Sequence, residues 1–188
     1  MLKKSKKLSN LTKLLKKNVT KEIVDIVLFG SAVRGKEEPG DYDVCIIFRE
    51  RIDFNKIKEL EELFKIKKLN VHLSYLTVDN FFTKKHSLAS TLLLEGKSII
   101  TNKPLSDNFN LVNKTLFIYE LKGMKPSDKV RFLYSLKGRR KKPGILTSIS
   151  PKIVARGLII VPTDKEDKIT SLFEHWKVKY RRIKMLTQ

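Results

Sequence analysis

Cysteine is nearly missing: Cys45 stands alone, which excludes an internal disulfide and a multi-cysteine zinc site. Long apolar runs are missing too. Residues 99–100 and 158–161 reach only the length of core strands, far short of the roughly 20 residues a membrane helix needs. Lysines at positions 3, 4, 6 and 7 precede leucines interleaved with polar residues rather than a continuous apolar block, so no secretory signal is expected. These absences predict a cytoplasmic protein with no membrane part. Carboxylates are the fourth scarcity. Twenty Asp and Glu face forty Lys and Arg, a net charge of +20.

What is present suffices for a folded protein. With 188 residues the chain can bury one good core, or one core and a small appendage, and ten Phe argue against disorder. The charge is uneven: residues 1–105 carry 21 basic and 13 acidic side chains, residues 106–188 carry 19 and 7. So the shorter segment holds the larger excess, +12 against +8, which predicts contact with a polyanion, RNA or DNA.

The hydrophobic pattern suggests an amphipathic helix over residues 2–17, a buried strand at 23–29 ending at Gly30, a second strand at 41–48 and a charged helix at 54–68. A third strand is expected at 71–76, a helix at 79–94 and a short strand at 98–101. The pattern then resets, so domains are expected at 1–105 and 106–188. In the second, helices are expected from about 107 to 121, from Ser127 to about Leu136, and briefly from Ser150-Pro151 to Gly157. After a strand at 158–161, Thr163 and Glu166 match a capping box opening a final helix that runs through Trp176, Tyr180 and Ile183.

One segment carries chemistry. It reads Ile26-Val27-Leu28-Phe29-Gly30-Ser31-Ala32-Val33-Arg34-Gly35, followed by Asp41-Tyr42-Asp43-Val44. A strand delivers the chain to Gly30, where no Cβ blocks a ligand, and Ser31 is expected to start a short helix whose free amides and hydroxyl can grip phosphate. The returning strand has period two, so Asp41 and Asp43 share one face while Tyr42, Val44 and Ile46 take the other. Paired carboxylates beside a phosphate cradle suit Mg²⁺, which binds one or two carboxylates and completes its shell with water and substrate phosphate.

Over about residues 18–104 this pattern resembles the DNA-polymerase-β-like nucleotidyltransferase superfamily, most closely its minimal nucleotidyltransferases, with Arg34-Gly35 in the place of that branch's Ala-Arg-Gly and residues 94–100 similar to the end of that domain. The resemblance implies an α+β fold, a short mixed sheet flanked by helices; it is silent on the remainder, where a smaller basic α/β domain is expected. It implies that Gly30 and Ser31, with Arg34 one turn on, bind a nucleoside triphosphate (ATP or another), and that Asp41 and Asp43 hold Mg²⁺ ions. The implied reaction is in-line transfer of a nucleoside monophosphate with release of pyrophosphate.

The chain departs from the family at one point. A third carboxylate is expected from the next strand, yet residues 71–76 read Val-His-Leu-Ser-Tyr-Leu. Its position falls on His72, or on Ser74 if the register slips by two. Histidine can act as a base near neutral pH, but it is a neutral ligand. Asp79 and Glu95 are possible substitutes from outside the strand.

Two basic clusters are candidates for nucleic-acid contact: Arg139, Arg140, Lys141 and Lys142 in a glycine-bracketed loop, and Lys177, Lys179, Arg181 and Arg182 on the expected last helix. No RNP aromatic pattern, GXXG clamp or zinc knuckle accompanies them. The expected function is Mg²⁺-dependent nucleotidyl transfer to an RNA or protein acceptor. The alternatives are a degenerate module that binds structured RNA or a ribonucleoprotein, and an antitoxin-like protein that pairs with a helical toxin.

Overall fold

The structure is a computed structural model that describes residues 6–33, 40–83, 87–140, 142–149 and 152–188. The chain divides into two compact units, Met1–Asn110 and Leu111–Gln188, five residues beyond the boundary expected at 105.

The first unit is α+β. Its elements are α1 (Lys6–Lys17), β1 (Ile23–Phe29), β2 (Tyr42–Phe48), α2 (Phe54–Ile66), β3 (Val71–Thr77), α3 (Val78–Thr83), α4 (Ser87–Glu95) and β4 (Lys97–Ser98). The sheet is mixed, in the order β3-β2-β1-β4; β2 and β3 run parallel and the other pairs antiparallel. Both faces are covered, which is why β1 and β2 read as nearly unbroken apolar runs. Ile26, Leu28, Val44, Ile46 and Phe48 pack with Leu11 and Leu15 of α1 and Ile57, Leu60 and Phe64 of α2. Val27, Cys45, Ile47 and Leu76 pack on the other side with Phe81 of α3 and Leu92 of α4. The Asp53 side chain caps α2 by accepting from the Lys56 amide at 3.0 Å, a contact worth about 1 kcal/mol. At the far end of α2, Lys68 takes φ +53 and the Leu69 amide donates to the Phe64 carbonyl at 2.9 Å.

Among the described residues of this unit, one carboxylate is buried. Asp25 is 4% exposed; its Oδ1 accepts from the Ile26 amide at 2.7 Å and from Ser98 Oγ at 2.9 Å. Burial raises its pKa above the usual 3.8, and the bonds from Ser98 and Ile26 offset only part of that shift. A group raised on folding contributes stability that is fully present below 3.8 and lost as pH climbs through the folded value. Asp25→Asn, which keeps an accepting oxygen, is therefore expected to melt above wild type at pH 7. The gap should close as pH falls toward 3.8, read by thermal denaturation across that window.

The second unit contains β5 (Val112–Glu120), α5 (Pro126–Lys137), the short hairpin β6 (Gly138–Arg139) and β7 (Lys142–Pro143), β8 (Lys152–Ala155), β9 (Leu158–Pro162), α6 (Glu166–His175) and β10 (Lys179–Thr187). Its main sheet has the order β10-β5-β9-β8 and is antiparallel throughout. Apart from the hairpin this is a β-α-β-β-α-β arrangement of the split ferredoxin-like kind. Phe117, Tyr119, Ile159 and Val161 of the sheet bury against Phe132 and Leu136 of α5 and Ile169 and Phe173 of α6.

Three expected helices are corrected here. Residues 112–120 form a strand, with Thr115, Phe117 and Tyr119 buried in alternation and apolar Leu116 and Ile118 on the opposite face. Residues 152–155 form β8. The final helix stops at His175. Lys177 turns to φ +51, and the Val178 amide donates to the Phe173 carbonyl at 2.8 Å, the six-to-one bond of a Schellman stop. The capping box is not made either. Glu166 is 7% exposed; its Oε2 accepts from Thr115 Oγ1 at 2.7 Å, and Oε1 lies 3.8 Å from Arg182 and Lys184.

Candidate functional site

The sheet of the first unit places the motif at one end. The register sets Phe29 of β1 and His72 of β3 on either side of Asp43 of β2. Alternation along β2 sends Asp43 to the same side as Cys45 and Ile47, so the carboxylate ends a row whose inner members are core. Cys45 is no nucleophile: burial pushes its thiol up to about 12, leaving it protonated.

Asp41, Asp43 and His72 converge. One ligand atom from each lies within 4.8 Å of the others. His72 Nδ1 stands 3.8 Å from Asp43 Oδ1; the imidazole is 84% exposed and the carboxylate 26%. Opposite corners of a Mg²⁺ octahedron lie about 4.2 Å apart at bond lengths of about 2.1 Å, so small side-chain rotations bring the three atoms to coordinating distance. The donor set of two carboxylates and an imidazole thus fits a divalent cation.

Gly30 is held against this cluster. It takes φ +70, and a Cβ at this position would run into Asp43 Oδ2. Both conditions demand glycine. Ser31 follows in a single 3₁₀ turn, Gly30–Ala32, closed by the Val33 amide on the Gly30 carbonyl at 3.3 Å. Arg34, the third expected nucleotide-binding residue, and the rest of the expected helix to Gly35 lie outside the described residues.

Sequence reasoning missed Asn70. Its side-chain amide donates to the Gly40 carbonyl at 2.9 Å and its own carbonyl accepts from the Tyr42 amide at 2.9 Å. These two bonds bracket Asp41 and fix the entry of β2. Only the parallel pairing of β2 and β3 brings Asn70 there, so nothing local in the sequence marks it.

The basic candidates separate. Arg139, Arg140 and Lys142 sit on the exposed β6–β7 hairpin, with Arg140 at φ +51 and the Arg139 guanidinium 4.7 Å from the Tyr134 ring centre. Lys141 lies outside the described residues. The second cluster is not on a helix. Lys177 is in the turn after α6, while Lys179, Arg181 and Arg182 are on β10, whose alternation sends Arg182 to the opposite face from the other two. There Arg182 lies 3.8 Å from Glu166.

Residues 9–105 match the family model described as polymerase beta, nucleotidyltransferase. The chain belongs to that family. Membership covers the first unit and agrees with its mixed, helix-flanked sheet. No curated protein matches the chain. Among solved structures, one similar chain comes from a toxin–antitoxin crystal structure with AMP-PNP, at 21% identity and TM-score 0.39, covering 54% of this chain and 77% of that one. Another comes from the tri-AMPylated Shewanella oneidensis HEPN toxin in complex with MNT antitoxin, at 21% identity and TM-score 0.36, covering 54% and 74%. Among the described residues no helix is long and apolar enough to cross a membrane.

Proposed function

We propose that this nucleotidyltransferase-family protein binds a nucleoside triphosphate with Mg²⁺ and transfers its nucleoside monophosphate to a hydroxyl of an RNA acceptor. The convergence of Asp41, Asp43 and His72 beside Gly30 carries this reading. Asp41 and Asp43 would hold the cation, which when bound supplies charge neutralisation for the phosphates. Gly30 leaves the approach to Asp43 open, and the Ser31 hydroxyl can donate to a phosphate oxygen. His72 stands where the family's third carboxylate is expected, and its exposed imidazole can take the proton lost by the acceptor hydroxyl. The acceptor oxygen then bonds to the α-phosphorus as the bond to the pyrophosphate leaving group breaks. RNA is favoured over a protein acceptor by the second unit, where basic side chains far outnumber acidic ones.

The test is incubation of the full chain with each labelled nucleoside triphosphate, total RNA and Mg²⁺, with EDTA as control. Metal-dependent label in RNA supports the reading, and label in protein alone redirects it to a protein acceptor. A second reading rests on an imidazole standing in place of a carboxylate at the third wall: a module that binds nucleotide and structured RNA without turnover. His72→Asp separates the two. If wild type incorporates nothing and this variant gains incorporation of tenfold or more above background, the degenerate module is the better account. Should neither protein incorporate any nucleotide, transfer is ruled out.

A further inference from the structure

A cleft of about 640 Å³ opens in the second unit between α5 and the β8–β9 turn. It is lined by the cations Lys122, Lys129, Lys137 and Arg156 together with the apolar Leu133 and the ring of Tyr119, and no carboxylate lines it. Among the described residues none of these four cations forms an ion pair with a carboxylate. Four like charges gathered without counter-charge repel one another, and an anionic ligand relieves that repulsion.

The arrangement of charge narrows the ligand. Lys129, Leu133 and Lys137 recur every four residues on one face of α5, so the two lysines are about 12 Å apart along the helix at about 1.5 Å per residue. A lone phosphate monoester cannot span that distance, whereas a strand carrying charge at regular intervals can. The positive–apolar–positive row suits phosphates two nucleotides apart with base faces between them. An apolar lining receives base faces only when they are unstacked, which favours a single strand over a duplex. The row also runs on in sequence, from Lys137 at the end of α5 into the exposed hairpin with Arg139 over Tyr134, a further cation and ring.

We infer that this cleft is the docking groove for single-stranded nucleic acid. It deepens the RNA-acceptor reading above, and the groove binds a strand whether or not the metal site turns over.

The experiment is fluorescence anisotropy of a labelled single-stranded uridine oligonucleotide titrated with the full chain over a range of salt. Wild type is expected to bind, weakening steeply as salt rises. Lys129→Glu with Lys137→Glu is expected to lower affinity at least tenfold and to reduce the salt slope by about two, one for each phosphate that a lysine no longer neutralises. Lys13→Glu with Lys16→Glu, two exposed lysines of α1, makes the same change in net charge and should leave most of the affinity. Equal losses in both pairs would mean diffuse charge rather than a groove and would overturn the inference. Undiminished binding by the cleft pair would overturn it too, as would equal affinity for a duplex of the same length. Cleft-dependent binding to anionic phospholipid vesicles without binding to the oligonucleotide would assign the groove to a membrane surface instead. Matching thermal melts establish that each variant is folded. Failure of the transfer reading shows as absent incorporation with strand binding intact; failure of the groove shows as cleft-independent binding while metal–nucleotide thermal shifts persist.

Discussion

Asp43→Asn is expected to lower metal-dependent nucleotide incorporation by on the order of 10³-fold, in a protein that stays folded. The carboxylate sits at the centre of the cluster, between Phe29 and His72 in the register and against Gly30. An amide of the same shape keeps that packing, so the variant should melt close to wild type. What it loses is one negative charge and one oxygen that would hold the cation, at a point where the strand partner, His72, carries no negative charge. In a family member with three carboxylates two would survive the change; here Asp41 alone would. The measurement is incorporation of labelled nucleotide under single-turnover conditions, together with calorimetric titration of Mg²⁺ and nucleotide. Unchanged incorporation and unchanged metal affinity would remove Asp43 from the site.

The largest effect on stability is expected from Phe173→Ala. Phe173 is fully buried, and its ring centre lies 5.7 Å from Phe117, 5.0 Å from Tyr119, 5.8 Å from Phe132 and 5.3 Å from Tyr180. It therefore joins β5, α5 and β10 to α6. Truncating a buried Phe to Ala typically costs about 3–5 kcal/mol, because the cavity left behind closes only in part. A unit the size of residues 111–188 has a total stability of about 4–12 kcal/mol at about 0.05–0.15 kcal/mol per residue, so the loss brings it near its unfolding midpoint. Trp176, the only tryptophan, packs against Phe132 at 6.3 Å and reports this unit. Its fluorescence should show a large drop in the denaturant midpoint; a shift worth less than about 1 kcal/mol would show that the aromatic cluster repacks.

Much of the first unit was legible from local pattern. β1 and β2 are short apolar runs, the first ending at Gly30, and Asp53 caps α2 where the charged helix was expected. The second unit was harder, and particular residues explain why. α6 ends with Lys177 in the left-handed region usually given to glycine, so the common stop signal is absent from the sequence. Without it, the apolar period of α6 ran on through Tyr180 and Ile183, which lie on opposite faces of a strand. β5 has apolar residues on both faces at its centre, and such a run does not distinguish a strand from a helix by period alone. Thr163 and Glu166 had the spacing of a capping box, but tertiary pairing with Thr115, Arg182 and Lys184 claimed the carboxylate.

By itself the sequence determined the family, the phosphate-and-carboxylate motif and the excess of positive charge, because each depends on residue identity at short spacing. Tertiary structure alone decided that His72 rather than Ser74 pairs with Asp43, that Asn70 brackets Asp41, and that the lysines of α5 line one cleft with Arg156. Those juxtapositions join residues tens of positions apart, and only strand register and helix packing bring them together.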